Sequence, residues 1–157
     1  MKNIVKIFSF AAALAVAFSC SDLNDYPAFE DSKSFAAFDV TSVSVDENAG
    51  TVSIPVTIAS VDPKQVALAY NTADGTAKKD VNFKLADESA VLAFDGKTRS
   101  MEIVINIVDL AGEYTGDLNF TVSLVKPGNL DLGANSTCTV KINDLDHPLA
   151  SILGGYT

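Results

Sequence analysis

Val52-Ser53-Ile54-Pro55-Val56-Thr57-Ile58 carries an aliphatic side chain at every second position, with Ser, Pro and Thr between. Side chains of a strand alternate between two faces, so this stretch reads as a β-strand with one buried face and one solvated face. Pro55 has no amide hydrogen to donate, which places the strand at a sheet edge or puts a bulge there. Upstream, Val43 and Val45 alternate in the same way. The turn-forming run Asp46-Glu47-Asn48-Ala49-Gly50 separates the two, and together they read as a hairpin.

The same period recurs down the chain. A third strand, Val66-Ala67-Leu68-Ala69-Tyr70, closes on Thr72-Ala73-Asp74-Gly75-Thr76, where Asp-Gly marks a turn. A short strand at Val91-Leu92-Ala93-Phe94 runs through Asp95-Gly96 into a long one with Met101, Ile103, Ile105 and Ile107 on one face. Leu118, Phe120, Val122 and Leu124 mark a sixth, Pro127-Gly128-Asn129 interrupts, and Cys138, Val140 and Ile142 mark a seventh. About seven antiparallel strands with turns between them and no helical period indicate an all-β, immunoglobulin-like β-sandwich, here spanning residues 37–148.

Residues 1–19 have another character. Lys2 and Lys6 precede an apolar run from Ile7 to Phe18, broken only by Ser9, that stops at Ser19-Cys20. A charged start, an apolar centre and a small residue before the cut make a secretory signal. Its 12 apolar-run residues fall short of the roughly 20 needed for a spanning helix. Ala17-Phe18-Ser19-Cys20 resembles the lipobox of bacterial lipoproteins, which implies acylation of Cys20 and a membrane partner reached through the lipid. Residues 20–36, with Asp22, Asp25, Glu30 and Asp31, read as a flexible tether. Acids just after the cysteine resemble the surface-export signals of Bacteroidetes lipoproteins, which implies a lipid-anchored outer-membrane protein displayed at the cell surface.

Two cysteines in an exported chain invite a disulfide, but lipidation of Cys20 would leave Cys138 as a buried thiol in its strand. Loss of Lys2 and Lys6 leaves 9 basic against 20 acidic side chains, a charge of −11. Such a surface repels nucleic acid and anionic lipid headgroups, so no nucleic-acid partner is expected.

The ordered features together resemble the Calx-β domain, a family described in sodium–calcium exchangers and in bacterial surface proteins. Val45-Asp46-Glu47-Asn48-Ala49-Gly50-Thr51-Val52 is similar to its opening hairpin, and Tyr70-Asn71-Thr72-Ala73-Asp74-Gly75-Thr76-Ala77 to its most recognisable stretch. Val91 to Ile107 is similar to its strand pair, and Ile142-Asn143-Asp144-Leu145-Asp146 to its close. In calcium-binding members, loops at one end gather carboxylates around Ca²⁺. The resemblance carries that role to Glu47, Asp74, Asp109, Glu113, Asp144 and Asp146. Leu110-Ala111-Gly112 and Leu145 interrupt the acidic runs, and Asp80 and Asn82 stand where the family usually has Gly and Asp. The resemblance therefore implies one weak Ca²⁺ site at most. In the competing reading these acids are turn residues that cap backbone amides.

No catalytic residues emerge. The acids form no distinguishable acid and base pair, and the one histidine, His147, sits beside Pro148 after the last strand. There is no Trp, and Tyr114 is the main aromatic candidate for a glycan platform. Leu149 to Tyr156, within the tail 149–157, reads as a short appended strand or the opening of a further segment. The expected function is a non-catalytic, membrane-anchored surface lipoprotein serving as an adhesion or interaction module for a protein or glycan. The alternative is a calcium-binding domain whose loop end stiffens when loaded.

Overall fold

The computed structural model describes residues 33–62 and 64–146. Cys20, the signal, most of the tether, His147 and the tail lie outside the described residues. The strands, in chain order, are β1 (Phe35–Phe38), β2 (Ser42–Asp46), β3 (Thr51–Ala59), β4 (Gln65–Asp74), β5 (Phe83–Leu85), β6 (Val91–Asp95), β7 (Ser100–Ile107), β8 (Leu118–Leu124), β9 (Asp131–Leu132) and β10 (Thr137–Asn143). A 3-10 turn, Glu47–Ala49, joins β2 to β3. Two five-stranded sheets, ordered β5-β7-β3-β1-β9 and β2-β10-β8-β4-β6, face each other as an immunoglobulin-like sandwich.

The alternation that defines the strands also builds the core. Val52, Ile54, Val56 and Ile58 of β3 and Ile103, Ile105 and Ile107 of β7 point inward from one sheet. Leu68 and Tyr70 of β4, Phe120 and Val122 of β8, and Cys138, Val140 and Ile142 of β10 meet them from the other. Between the sheets the rings of Phe83 and Phe120 stack with centroids 3.8 Å apart and planes within 7°. Cys138 is a free, buried thiol, and burial pushes its pKa up.

Three expectations change. First, β2 and β3 are not a hairpin. β2 pairs in parallel with β10, whereas β3 pairs with β1 and β7 in the opposite sheet. The 3-10 turn and Gly50, at φ +76°, carry the chain across the sandwich. β6 and β7 likewise belong to different sheets. Alternation reports which face is buried but not which sheet a strand joins.

Second, the described residues form ten strands, and two of their pairings, β1 with β9 and β2 with β10, are parallel. β1, β5 and β9 are too short for a periodic pattern to register. β1 begins at Phe35, inside the stretch read as tether, and buries Ala36 and Phe38.

Third, Pro55 lies neither at an edge nor at a bulge. β3 sits at the centre of its sheet, and its register with β7 runs through Pro55 and Glu102 without a break. The proline is accommodated because β1 ends opposite Val56. The Pro55 carbonyl accepts from the Asp39 amide at 3.1 Å. A strand residue's nitrogen faces the same neighbour as its carbonyl, so the missing donor points past the end of β1 and costs no ladder bond.

Candidate metal centre

Glu47 opens the 3-10 turn after β2, Asp109 lies near the start of the β7–β8 connection, and Asp146 follows β10. Because β2 lies beside β10, and β7 faces them across the sandwich, three distant parts of the sequence arrive at one end of the fold. One carboxylate oxygen from each of Glu47, Asp109 and Asp146 lies within 4.8 Å of the others. Glu47 is buried, Asp146 half-buried and Asp109 exposed.

The carboxylates are oriented by backbone amides. Leu145 N–H donates to Glu47 Oε1 at 2.6 Å, and Gly112 N–H donates to Asp146 Oδ2 at 2.5 Å. Each carboxylate can accept about four hydrogen bonds or ligand contacts, so these amides leave lone pairs for an ion. Beside the cluster is a cavity of about 10 Å³ bordered by Glu47, Asn82, Thr115, Gly116 and Asp144, among others.

This donor set fits Ca²⁺. Calcium binds oxygens at about 2.3–2.6 Å, so two of its ligands can lie up to roughly 5 Å apart, and oxygens within 4.8 Å of one another fit one shared ion. All three donors are hard carboxylates, which favours calcium over zinc. Calcium takes about six to eight oxygens, so three side chains must be supplemented by carbonyls and water. Such a site binds weakly.

The other expected ligands fall outside this three-acid group. Asp144 Oδ2 accepts from Thr115 N–H at 2.6 Å, Gly116 N–H at 2.5 Å and the Thr115 hydroxyl at 3.3 Å, while its Oδ1 accepts from Asp146 N–H at 2.7 Å. Burial alone would raise its pKa, but the amides of Asp146, Gly116 and Thr115 outweigh that and hold it below the ordinary value. Asp117 accepts from Asp144 N–H at 3.3 Å and pairs with Lys141 at 2.8 Å. The Lys141 contact, then the Asp144 amide, holds its carboxyl down. Glu113 donates its amide to the Leu110 carbonyl and is not part of the three-acid cluster.

Asp74 belongs to a clamp. Its Oδ1 accepts from Lys79 N–H at 3.0 Å. Next to it, Gly75 packs so closely on β8 that an added Cβ would meet both the carbonyl oxygen and Oδ1 of Asn119 at 2.4 Å. The Thr76 hydroxyl accepts from Asn119 N–H at 2.8 Å, and the buried Ala77 donates its amide to the Asn119 carbonyl at 2.9 Å. Asp74-Gly75-Thr76-Ala77 therefore ties the end of β4 to the start of β8. Asn82 is also buried, and its Oδ1 accepts from Lys78 N–H at 2.8 Å. Its value to this end of the fold was not evident from residue type alone.

Residues 30–146 match the Calx-beta domain. The chain belongs to that family. Among solved structures, the apo form of the Calx CBD1 domain superposes with a TM-score of 0.63 at 22% identity, covering 71% of this chain and 96% of that one. The Calx CBD2 domain gives 0.64 at 18%, covering 78% and 95%. The calcium binding domain CBD12 of CALX1.1 gives 0.62 at 26% identity, covering 71% of this chain and 45% of that chain. This Calx-beta chain thus spans less than half of the CBD12 structure it matches. No curated protein sequence matches it. As a Calx-beta domain it is a non-catalytic module.

Proposed function

We propose that this Calx-beta domain binds one Ca²⁺ weakly between Glu47, Asp109 and Asp146, and that the bound ion stiffens the loop end of the sandwich. The convergence of three carboxylates from separate connections carries this reading. An ion held there would crosslink the β2–β3 turn, the β7–β8 connection and the segment after β10, and would neutralise charge in an acidic chain. Extracellular calcium modules commonly have dissociation constants of about 10⁻⁴–10⁻³ M. At ten times such a value, ligand linkage adds about 1.4 kcal/mol, or roughly 5 °C in Tm for a domain of this size. Thermal melts in calcium and in chelator test it. Equal Tm values at millimolar Ca²⁺ would remove the calcium reading.

The lipobox-like Ala17-Phe18-Ser19-Cys20 supports a wider setting. In it the mature chain is a lipid-anchored outer-membrane lipoprotein of the Bacteroidetes type, and the domain acts outside the cell as an adhesion or interaction module for a protein or glycan. Intact-mass measurement of the membrane-extracted protein tests the anchor: a diacylated Cys20 at the new amino terminus is expected, and an unmodified cysteine would contradict it. Protease shaving of whole cells tests display on the outer face.

A further inference from the structure

The β7–β8 connection runs from Val108 to Asp117 without regular secondary structure, yet it must place Asp109 within reach of Glu47 and Asp146. Its path is fixed at several points. Val108 N–H donates to the Asn82 carbonyl at 2.9 Å, and Gly112 N–H is held by Asp146. Further on, the consecutive amides of Thr115 and Gly116 both point at Asp144 Oδ2. Gly116 has φ +71°, a left-handed conformation that glycine adopts freely. Asp144 takes both of these amides on one oxygen. Its own amide is anchored on Asp117, which Lys141 holds.

We propose that Asp144 is a positioning residue, not a calcium ligand: its carboxylate fixes the Gly112–Asp117 stretch before any ion arrives. Both of its oxygens are engaged, by the three amides of Thr115, Gly116 and Asp146, whereas Glu47 and Asp146 each show one amide contact. These contacts need no ion, so they would hold the Gly112–Asp117 stretch in the metal-free protein and leave the ion to stiffen what Asp144 has already placed. This role in setting affinity rests on the calcium reading above, while the hold on the loop stands apart from it.

The test compares Asp144→Asn, Asp144→Glu and Asp146→Asn in the full chain. Amide hydrogen exchange without metal should rise about tenfold or more at Thr115 and Gly116 in both Asp144 variants and stay at the wild-type rate in Asp146→Asn. Calcium affinity should fall about tenfold in both Asp144 variants, the size expected when a group that orients ligands is lost. Asp144→Glu keeps the charge, so its loss of affinity separates positioning from simple electrostatics. Luminescence decay of bound Tb³⁺ in H₂O and D₂O counts metal-bound water: Asp144→Asn should match wild type, and Asp146→Asn should gain about one water or lose the ion. Wild-type exchange rates at Thr115 and Gly116 in Asp144→Asn, or an extra water on its Tb³⁺, would overturn the proposal. A wild-type chain that takes up neither Ca²⁺ nor Tb³⁺ would overturn the calcium reading instead, and the metal-free exchange rates would still decide whether Asp144 holds the loop.

Discussion

Replacing Gly75 by alanine should cost more than a substitution at any turn glycine whose only demand is conformational. Gly75 has no left-handed φ, so its requirement is space. The new methyl carbon would sit 2.4 Å from two oxygens of Asn119, one of them in the backbone of β8. Forcing an atom into a filled site costs about 1–3 kcal/mol. Moving β8 also strains the bonds from Ala77 N–H to the Asn119 carbonyl and from Asn119 N–H to the Thr76 hydroxyl, each worth about 1 kcal/mol. With about half of each bond lost, a total of about 2–4 kcal/mol follows, or a Tm lower by roughly 8–16 °C at about 4 °C per kcal/mol. Gly50→Ala is the control. It has φ +76° and no atom within 4 Å of an added Cβ, so it should cost only the left-handed penalty of about 1–2 kcal/mol. Asn119→Ala should rescue Gly75→Ala only in part, because the backbone contact remains. Thermal melts followed by circular dichroism decide the matter. A Gly75→Ala protein within about 2 °C of wild type, or more stable than Gly50→Ala, would refute the clamp.

Three further outcomes are expected. Asp80 is exposed and sits at φ +64°, so Asp80→Gly should release left-handed strain and raise stability by about 1 kcal/mol in urea unfolding; a loss would show that its side chain matters more than its backbone. Phe120→Ala removes a fully buried ring and its stack on Phe83, and should cost about 3–5 kcal/mol; a change below about 2 kcal/mol would mean that the two sheets close over the gap. Asp95 has its pKa held below the ordinary 3.8 by the amides of Thr98 and Lys97. A depressed folded pKa contributes stability above the unfolded value of 3.8 that is lost as pH falls through the folded value. Urea titrations below pH 5 should therefore show a shallower acid loss in Asp95→Asn, and an unchanged slope would contradict the assignment.

The sandwich was legible because buried and solvated residues alternate so regularly in β3, β7, β8 and β10. The wiring was not. Val43 and Val45 alternate toward the core whether β2 continues as a hairpin or crosses to β10, and only the 3-10 turn with Gly50 decides between these. Pro55 misled because its effect depends on where β1 stops, a long-range fact. The site was legible in the same measure. Residue type and family pattern named six acids, but convergence depends on which amides each carboxylate meets first. Asp144 takes the Thr115 and Gly116 amides, Asp74 caps Lys79 and Glu113 falls outside the group, which leaves Glu47, Asp109 and Asp146 to face one another. The turn-cap reading is thus realised on Asp74 and Asp144, while the three acids that converge carry the proposed metal site.

A crystal structure grown in millimolar calcium and measured for anomalous scattering tests the central claim most directly. The account predicts one anomalous peak, at about 2.3–2.6 Å from carboxylate oxygens of Glu47, Asp109 and Asp146, with Asp144 still bound to the amides of Thr115 and Gly116. No peak at that position, or a peak ligated by Asp74 or Asp144 instead, would contradict it.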